Sequence, residues 1–186
     1  TIHVAEDADI AQGAISEMTE DGVYREVIPR PQRLFVLGGG EDAMPLVRMA
    51  TMLGWNVTVA DGRAQLVRPE RFPEAERVVR VSSADELGLL ERDAVVIMTH
   101  NYEQDRTLLA GVLGGVQPAY VGLLGARHRS SLLVAEVAAA LGRGVAECCE
   151  RVHAPVGLDL GGDGPEAIAL AVMAEVQACL HGKPTG

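Results

Sequence analysis

Glycines that follow a short apolar run are the first residues in this 186-residue chain whose spacing suggests chemistry. The run 34–37 leads into Gly38, Gly39 and Gly40, and Ala43 completes the pattern G-x-G-x-x-A. Between a strand and a helix, this pattern allows a tight turn and brings backbone N–H groups close to a phosphate at the positive end of the helix dipole. The pattern therefore predicts Rossmann-type geometry and leaves dinucleotide binding open.

Asp61 follows the next apolar run, at the position where an acid binds a ribose hydroxyl in such folds. If a dinucleotide binds, Asp61 is expected to favour an unphosphorylated ribose, and therefore NAD over NADP. Glu41 and Asp42 complement the dipole of the following helix but would repel a pyrophosphate. Arg63 either offsets the negative charge of Glu41 and Asp42 or pairs with Asp61, and the sequence leaves both alternatives open.

Polar residues also follow the apolar run 94–98, namely Thr99, His100 and Asn101. In an open parallel sheet, ligands bind beyond the carboxyl ends of the strands, where the strand order reverses. We expect these side chains to face the glycine turn across a crevice, although a histidine that merely caps a loop or helix is the alternative. We expect His100 to bind a ligand rather than transfer a proton, because the sequence places no orienting carboxylate beside it except Asp105 on the next helix.

The run 119–123 leads into Gly125, Ala126 and Arg127, a basic turn that is a second candidate anion site. An arginine can hold a phosphate through two parallel hydrogen bonds. The alternative interpretation is an ordinary helix start with surface arginines.

An irregular segment with many backbone donors precedes the last predicted helix and contains Pro155, Gly157 and Asp159. Asp163 and Glu166 have the spacing of a capping box for that helix.

Alternation of short apolar runs with helical spacing predicts an α/β fold. The expected strands are 34–37, 57–59, 78–81, 94–98, 119–123 and, as a sixth, 156–160. The expected helices are 43–53, 84–90, 105–113, 127–141 and 167–180. We predict a Rossmann-like doubly wound parallel sheet in three α/β/α layers, with strand order 3-2-1-4-5.

The first part of the chain differs in composition from the rest. Residues 1–26 hold seven acids against one base, and the prolines of Pro29-Arg30-Pro31 make a stiff joint. We predict a weakly ordered acidic extension with a proline linker at 1–32 and one compact cofactor- or nucleotide-binding domain at 33–186.

Composition excludes several functions. The formal net charge of -10 argues against binding nucleic acid or an anionic membrane surface, and aromatic residues at 3% are too few for stacking platforms. No apolar run in the sequence is long enough to span a bilayer, and we expect no secretion signal. Three cysteines without zinc spacing predict idle thiols, no metal site and a cytoplasmic protein.

Four stretches carry a family resemblance: RLFVLGGGEDAMPLVRMATMLGWNVTVADGR, VVIMTHN, YVGLLGAR and PVGLDLGGDGPEAIALAVMAEV. In that order they resemble the C-terminal Rossmann domain of the XdhC/CoxI family, over about residues 33–182. The members of that family are maturation factors of molybdenum hydroxylases such as xanthine and carbon monoxide dehydrogenases.

The resemblance implies a chaperone that binds the molybdenum cofactor (molybdopterin), protects it during sulfuration and delivers it to the apo-enzyme. It implies a molybdenum hydroxylase apo-enzyme and a sulfurase as partners, and it leaves homo-oligomer formation open. The predicted cofactor-binding residues are Gly38, Gly39, Gly40, Asp61, Arg63, Thr99, His100, Asn101, Gly125, Ala126, Arg127, Pro155, Gly157 and Asp159.

Three departures from the family pattern are visible. Ala126 replaces the usual serine, and Gly164 replaces the usual threonine. The third concerns the family's N-terminal domain, which we expect to be missing or reduced to residues 1–30, and a Rossmann domain alone is then expected to bind the cofactor without necessarily delivering it.

Two other functions remain open. An NAD(P)-dependent oxidoreductase is one, since the glycine turn followed by VTVAD also resembles precorrin dehydrogenases. The sequence, however, lacks a Tyr-x-x-x-Lys pair and an obvious second domain to shape a substrate pocket. A dinucleotide-binding or ligand-sensing regulatory domain is the other.

Overall fold

The computed structural model describes residues 30–185 and two short strands nearer the start of the chain. The chain forms two compact units, 1–31 and 32–186. In the first unit, β1 (Ser16–Met18) pairs with β2 (Tyr24–Glu26) in antiparallel orientation. The weak order predicted for the acidic extension otherwise concerns residues outside the described ones.

The second unit contains a parallel five-stranded sheet. Its strands are β3 (Arg33–Leu37), β4 (Asn56–Asp61), β5 (Arg77–Arg80), β6 (Ala94–Ile97) and β7 (Tyr120–Leu123). Their order is β5-β4-β3-β6-β7. Counted within this unit it is 3-2-1-4-5, so the predicted Rossmann-like topology is confirmed.

Helices cover both faces of the sheet. They are α1 (Ala43–Met52), α2 (Tyr102–Gly114), α3 (Arg127–Leu141), α4 (Val145–Glu150) and α5 (Pro165–Leu180). Side chains alternate along each strand, so Leu34 and Val36 pack with α1 and α5, whereas Phe35 and Leu37 pack with α2 and α3. Burial on both faces explains why the strands appear in the sequence as unbroken apolar runs. None of the helices in the described part of the chain is long and apolar enough to span a membrane.

Segment 156–160, the candidate for a sixth strand, does not form one, and the sheet has the smaller of the two expected strand numbers. Beside β7, His153 makes a single parallel bridge with Gly122, and Val156 donates its N–H to the Leu123 carbonyl. The ladder then ends, because Gly157 has a φ of +97° and donates its N–H to the Glu175 carboxylate instead.

Several helix boundaries also differ from the prediction. The helix expected at 84–90 is a single 3-10 turn, Ala84–Leu87, which ends at Gly88 in the left-handed conformation. Conversely, α2 begins at Tyr102, before the predicted start, because the Asn101 side chain accepts the Gln104 N–H and caps it. The six-residue helix α4 was not predicted.

The capping box expected at Asp163 and Glu166 is also wrong. Helix α5 starts at Pro165, so Gly164 occupies the cap position, and no side chain caps the helix. The capping box that the structure does contain joins Ser83 and Glu86 at the 3-10 turn.

Candidate functional site

The glycine turn after β3 lies against the end of β6. A Cβ atom on Gly38 would stand 2.4 Å from the Met98 carbonyl oxygen, and Gly38 has a φ of +136°. A Cβ atom on Gly39 would stand 2.6 Å from the Leu66 carbonyl oxygen. Backbone packing therefore requires the first two glycines, whatever the turn binds.

Gly40 has a different environment. The nearest atom to a Cβ at this position would be His100 Cδ2, at 4.0 Å. The turn therefore opens at Gly40, and the open side faces His100 across the end of the sheet. Gly40 and His100 lie at the same sheet edge, as the sequence predicted.

Asp61 is enclosed by donors from its own chain and is 0% exposed. Its Oδ1 accepts from Arg63 N and Nε, each at 2.9 Å, and from Gln104 Nε2 at 3.2 Å. Its Oδ2 accepts from Gly39 N at 2.9 Å and Arg63 Nη2 at 2.8 Å. Burial raises the pKa of Asp61, but hydrogen bonds from Arg63, Gly39 and Gln104 outweigh burial and lower this pKa to about 2.

This arrangement, which we call the Asp61 clamp, joins three strand ends. It consists of Gly39 after β3, Asp61 and Arg63 at the end of β4, and Thr99 after β6, whose carbonyl accepts from Arg63 Nη2 at 2.8 Å. The sequence left open whether Arg63 pairs with Asp61, and the structure shows that it does. A ribose hydroxyl would have to displace one of these donors, so the preference for NAD over NADP stays a prediction without structural support.

The acids that open α1 also have partners. His100 Nε2 lies 2.9 Å from Asp42 Oδ2, so the carboxylate that orients His100 is Asp42 rather than Asp105. Arg71 Nη2 donates to Glu41 at 2.8 Å and to the Gly39 carbonyl at 3.1 Å. His100 has a φ of +58°, and its side chain is 58% exposed at the crevice. The His100 ring is therefore well placed to meet a ligand at this edge.

Thr99 and Asn101 make hydrogen bonds within the fold, and their predicted role in binding a ligand stays a prediction. The Thr99 hydroxyl donates to Asp105 Oδ1 at 2.6 Å, and Arg129 Nη2 donates to the other carboxylate oxygen of Asp105 at 2.6 Å. Asp105 is completely buried, so this network ties the ends of β6 and β7 together beneath the surface. The Asn101 side chain is engaged in capping α2.

The remaining predicted residues lie after β7. Gly125 has a φ of +149°, and Arg127 is exposed without a side-chain partner in residues 30–185. Pro155 and Asp159 are exposed on their loop, while Gly157 packs against α5. Within the described residues, no hydrogen bond or ion pair joins this loop to the glycine turn or to His100. Loop 155–159 is therefore not brought into the crevice by direct contacts.

A second polar cluster, not found from the sequence, holds that loop. Glu175 accepts hydrogen bonds from Tyr120 and from Gly157 N, and it lies 3.4 Å from His153 Nδ1. Burial raises the pKa of Glu175, but these hydrogen bonds outweigh burial and lower it. His153 stacks on Tyr120 and lies 3.7 Å from the Cys179 sulfur. Burial and Glu175 raise the pKa of Cys179, which keeps this thiol protonated and argues against a nucleophilic role.

No metal centre emerges from these clusters. In residues 30–185 and strands β1 and β2, no group of three or more His, Cys, Asp or Glu side chains is arranged to hold an ion. What the site offers is a polar sheet edge, with the exposed ring of His100 beside Gly40 and the exposed guanidinium of Arg127 on the turn after β7, and these groups are suited to binding.

The fold and this crevice define a Rossmann-like α/β domain whose candidate ligand site lies at the carboxyl edge of the sheet. Residues 34–176 match the family model described as the XdhC Rossmann domain. The chain belongs to this family.

Proteins similar to this chain include two curated relatives and a solved structure. A Bacillus subtilis protein described as a probable xanthine dehydrogenase subunit is 31% identical, over 86% of this chain and 46% of its own length. The "Uncharacterized protein YqeB" of Escherichia coli is 32% identical, over 83% of this chain and 28% of its own. The crystal structure of a xanthine dehydrogenase from Bacillus halodurans has a TM-score of 0.70 and 30% identity, covering 82% of this chain and 45% of that one. This chain therefore spans less than half of each protein.

Proposed function

We propose that this chain serves as the Rossmann domain of an accessory factor that binds molybdenum cofactor and assists its insertion into a molybdenum hydroxylase such as xanthine dehydrogenase. The observation that carries the proposal is the exposed ring of His100 beside the glycine turn at Gly40, at the carboxyl edge of the sheet, in a domain of the XdhC family. The names of the relatives point to xanthine dehydrogenase as the class of client enzyme.

The residues at the crevice fit a flat polar cargo that carries a phosphate. The ring of His100 lies beside Gly40 with one face toward solvent, and Asp42 orients that ring. Arg127, on the neighbouring turn, is a cation without a partner in the described residues. The bound cofactor carries the molybdenum chemistry of the client enzyme, and the role of this chain is to hold and shield it.

Dinucleotide binding in the usual Rossmann manner is less well supported. The Asp61 carboxylate already accepts five hydrogen bonds, from Gly39, Arg63 and Gln104. In the first turn of α1, the N–H groups of Ala43 and Met44 bond to the carbonyls of Gly40 and Glu41, and Pro45 has no N–H. A pyrophosphate would thus meet two carboxylates, Glu41 and Asp42, and few free donors.

The direct test is to identify what the protein carries. Purified protein is denatured, and any released pterin or nucleotide is identified by mass spectrometry, followed by titration with molybdopterin, NAD and NADP. We expect binding of the pterin. Binding of NAD or NADP with no affinity for the pterin would overturn the proposal and favour an oxidoreductase or a regulatory domain.

His100→Ala is expected to weaken cofactor binding by about 1–3 kcal/mol, because a ligand group would lose its hydrogen-bond partner. The stability of the fold should hardly change, since the side chain is largely exposed. Pterin affinity and thermal stability are measured for the wild type and the variant. His181→Ala, at an exposed histidine beyond α5, is the matched control. Unchanged affinity with a large loss of stability would show that His100 is structural.

A further inference from the structure

The N-terminus of α3 has donors that the protein itself does not use. Its first helical hydrogen bond runs from Ser130 N to the Ala126 carbonyl at 3.0 Å. The N–H groups of Arg127, His128 and Arg129 precede that bond and have no acceptor in residues 30–185. The cap residue, Ala126, has no side-chain acceptor to offer them. Three N–H groups therefore point out of the helix at the positive end of its dipole.

A buried hydroxyl in the same turn lacks a partner. Ser130 is 1% exposed, and its Oγ makes no hydrogen bond. This oxygen lies 3.6 Å from the position that a Cβ atom of Gly125 would occupy. Side chains on a helix lean toward its N-terminus, so the hydroxyl faces the turn from which the three N–H groups emerge. An unpaired buried hydroxyl is costly, and an acceptor oxygen from a ligand would remove that cost.

The charges around this turn favour an anion. Arg127 is exposed and unpaired in the described chain, and no acid lies in the first turn of α3. Arg129 is held by Asp105 at 2.6 Å, so its guanidinium neutralises that carboxylate and braces the turn. Arg127 is therefore the one positive charge in this turn that no acid of the described chain neutralises, and it lies beside the three N–H groups.

The other long helices do not offer such an end. Helix α1 opens behind Asp42, and Asn101 caps α2 with acids in its first turn. Helix α5 begins with Pro165 and Glu166, which remove a donor and add a negative charge.

We propose that the N-terminus of α3 binds the phosphate of a phosphomonoester. The N–H groups of residues 127–129 and the Ser130 hydroxyl donate to its oxygens, and the Arg127 guanidinium neutralises its charge. That this phosphate is the one carried by the pterin cofactor rests on the proposed function. The phosphate site therefore lies after β7, away from the glycine turn where a Rossmann fold usually holds phosphate.

The test uses inorganic phosphate as the probe on the whole chain. Backbone amide resonances are followed by NMR during titration with phosphate, against sodium chloride at matched ionic strength. We expect saturable shifts at the amides of residues 127–129. Arg127→Gln should weaken phosphate binding about tenfold, and Ser130→Ala about threefold, through loss of a charged and a neutral donor respectively. Both variants should fold, because one changes an exposed residue and the other removes an unsatisfied hydroxyl.

Two matched variants serve as controls. Ser131→Ala removes the next hydroxyl of α3, which donates to the Arg127 carbonyl, and Arg92→Gln removes an exposed charge just before β6, at the amino edge of the sheet. Both should bind phosphate as the wild type does. Equal affinities in all four variants, no shifts at all, or shifts confined to residues 40–44 would each overturn the proposed site.

Titration of the same proteins with molybdopterin separates this site from the proposed function. Phosphate shifts at residues 127–129 without pterin binding would support the anion site and overturn the proposed function. Pterin binding that Arg127→Gln and Ser130→Ala leave unchanged would overturn the assignment of the cofactor's phosphate to this site and leave the proposed function standing. Loss of pterin affinity in both variants, with normal binding in both controls, is the result we expect.

Discussion

Asp61→Asn is expected to lower the free energy of unfolding by about 3–5 kcal/mol, the usual cost of breaking a buried ion pair from one side. The new amide would direct N–H groups at Gly39 N or at Arg63, which are themselves donors. Arg63 would lose its bidentate partner, and Gly39 N would lose its acceptor, so the clamp would no longer join the end of β3 to that of β4.

Denaturant unfolding of the wild type and of Asp61→Asn measures this effect. Asp163→Asn is the control, because Asp163 is exposed and lies outside the helix that follows it. A change in unfolding free energy that is as small for Asp61→Asn as for Asp163→Asn would show that the clamp contributes little to stability.

The same carboxylate predicts a pH dependence. Burial opposes its ionisation, but Arg63, Gly39 and Gln104 hold the pKa of Asp61 at about 2 in the folded protein. The unfolded-state pKa is near the ordinary value of about 3.9, so ionised Asp61 stabilises the fold by about 2–3 kcal/mol above that pH. This contribution should disappear as the pH falls from about 4 to about 2. Asp61→Asn should lack this part of the acid dependence.

Gly38→Ala is expected to cost about 3–5 kcal/mol, because the added methyl group combines backbone strain with a clash in a packed core. The methyl group would clash with the backbone carbonyl of Met98, directly after β6. Because the Met98 N–H is bonded to the Leu37 carbonyl, this backbone atom cannot move aside as the end of a flexible side chain could. The φ of +136° adds strain for any residue with a side chain.

Gly40→Ala is the matched comparison within the same turn. Its added methyl group would meet no atom nearer than His100 Cδ2 at 4.0 Å, so we expect a change within about 0.5 kcal/mol. Thermal and denaturant unfolding of both variants decide the point. Similar stabilities would contradict the assignment of Gly38 to backbone packing and Gly40 to the open side of the turn.

The Asp61 clamp and the glycine turn show which features sequence patterns predict and which they do not. The pattern G-x-G-x-x-A and the acid at Asp61 correctly predict a turn after β3 and its position beside β4. They do not reveal that the acid binds the turn itself through Gly39 N and Arg63. The residue type and spacing suit both roles, and only the burial of Asp61 distinguishes them.

Contacts between distant residues were beyond the sequence. Asp42 and His100 are 58 residues apart, and Tyr120 and Glu175 are 55 apart. No local spacing links such pairs, because strand order and twist determine which side chains meet. The same reason applies to Ser130, whose unpaired state depends on everything packed around it.

The sequence by itself determined the parallel α/β fold, its strand order and the edge at which the glycine turn and His100 lie. Apolar periodicity indicated the strands and helices, because strands buried on both faces leave unbroken apolar runs and helices leave a period near 3.6 residues, and the glycine pattern indicated the Rossmann strand order and its ligand edge. Only the tertiary structure decided which polar groups hold the fold and which remain free for a ligand. That division depends on hydrogen-bond partners from other elements. An aspartate that accepts five hydrogen bonds, such as Asp61, cannot be distinguished in the sequence from an exposed aspartate.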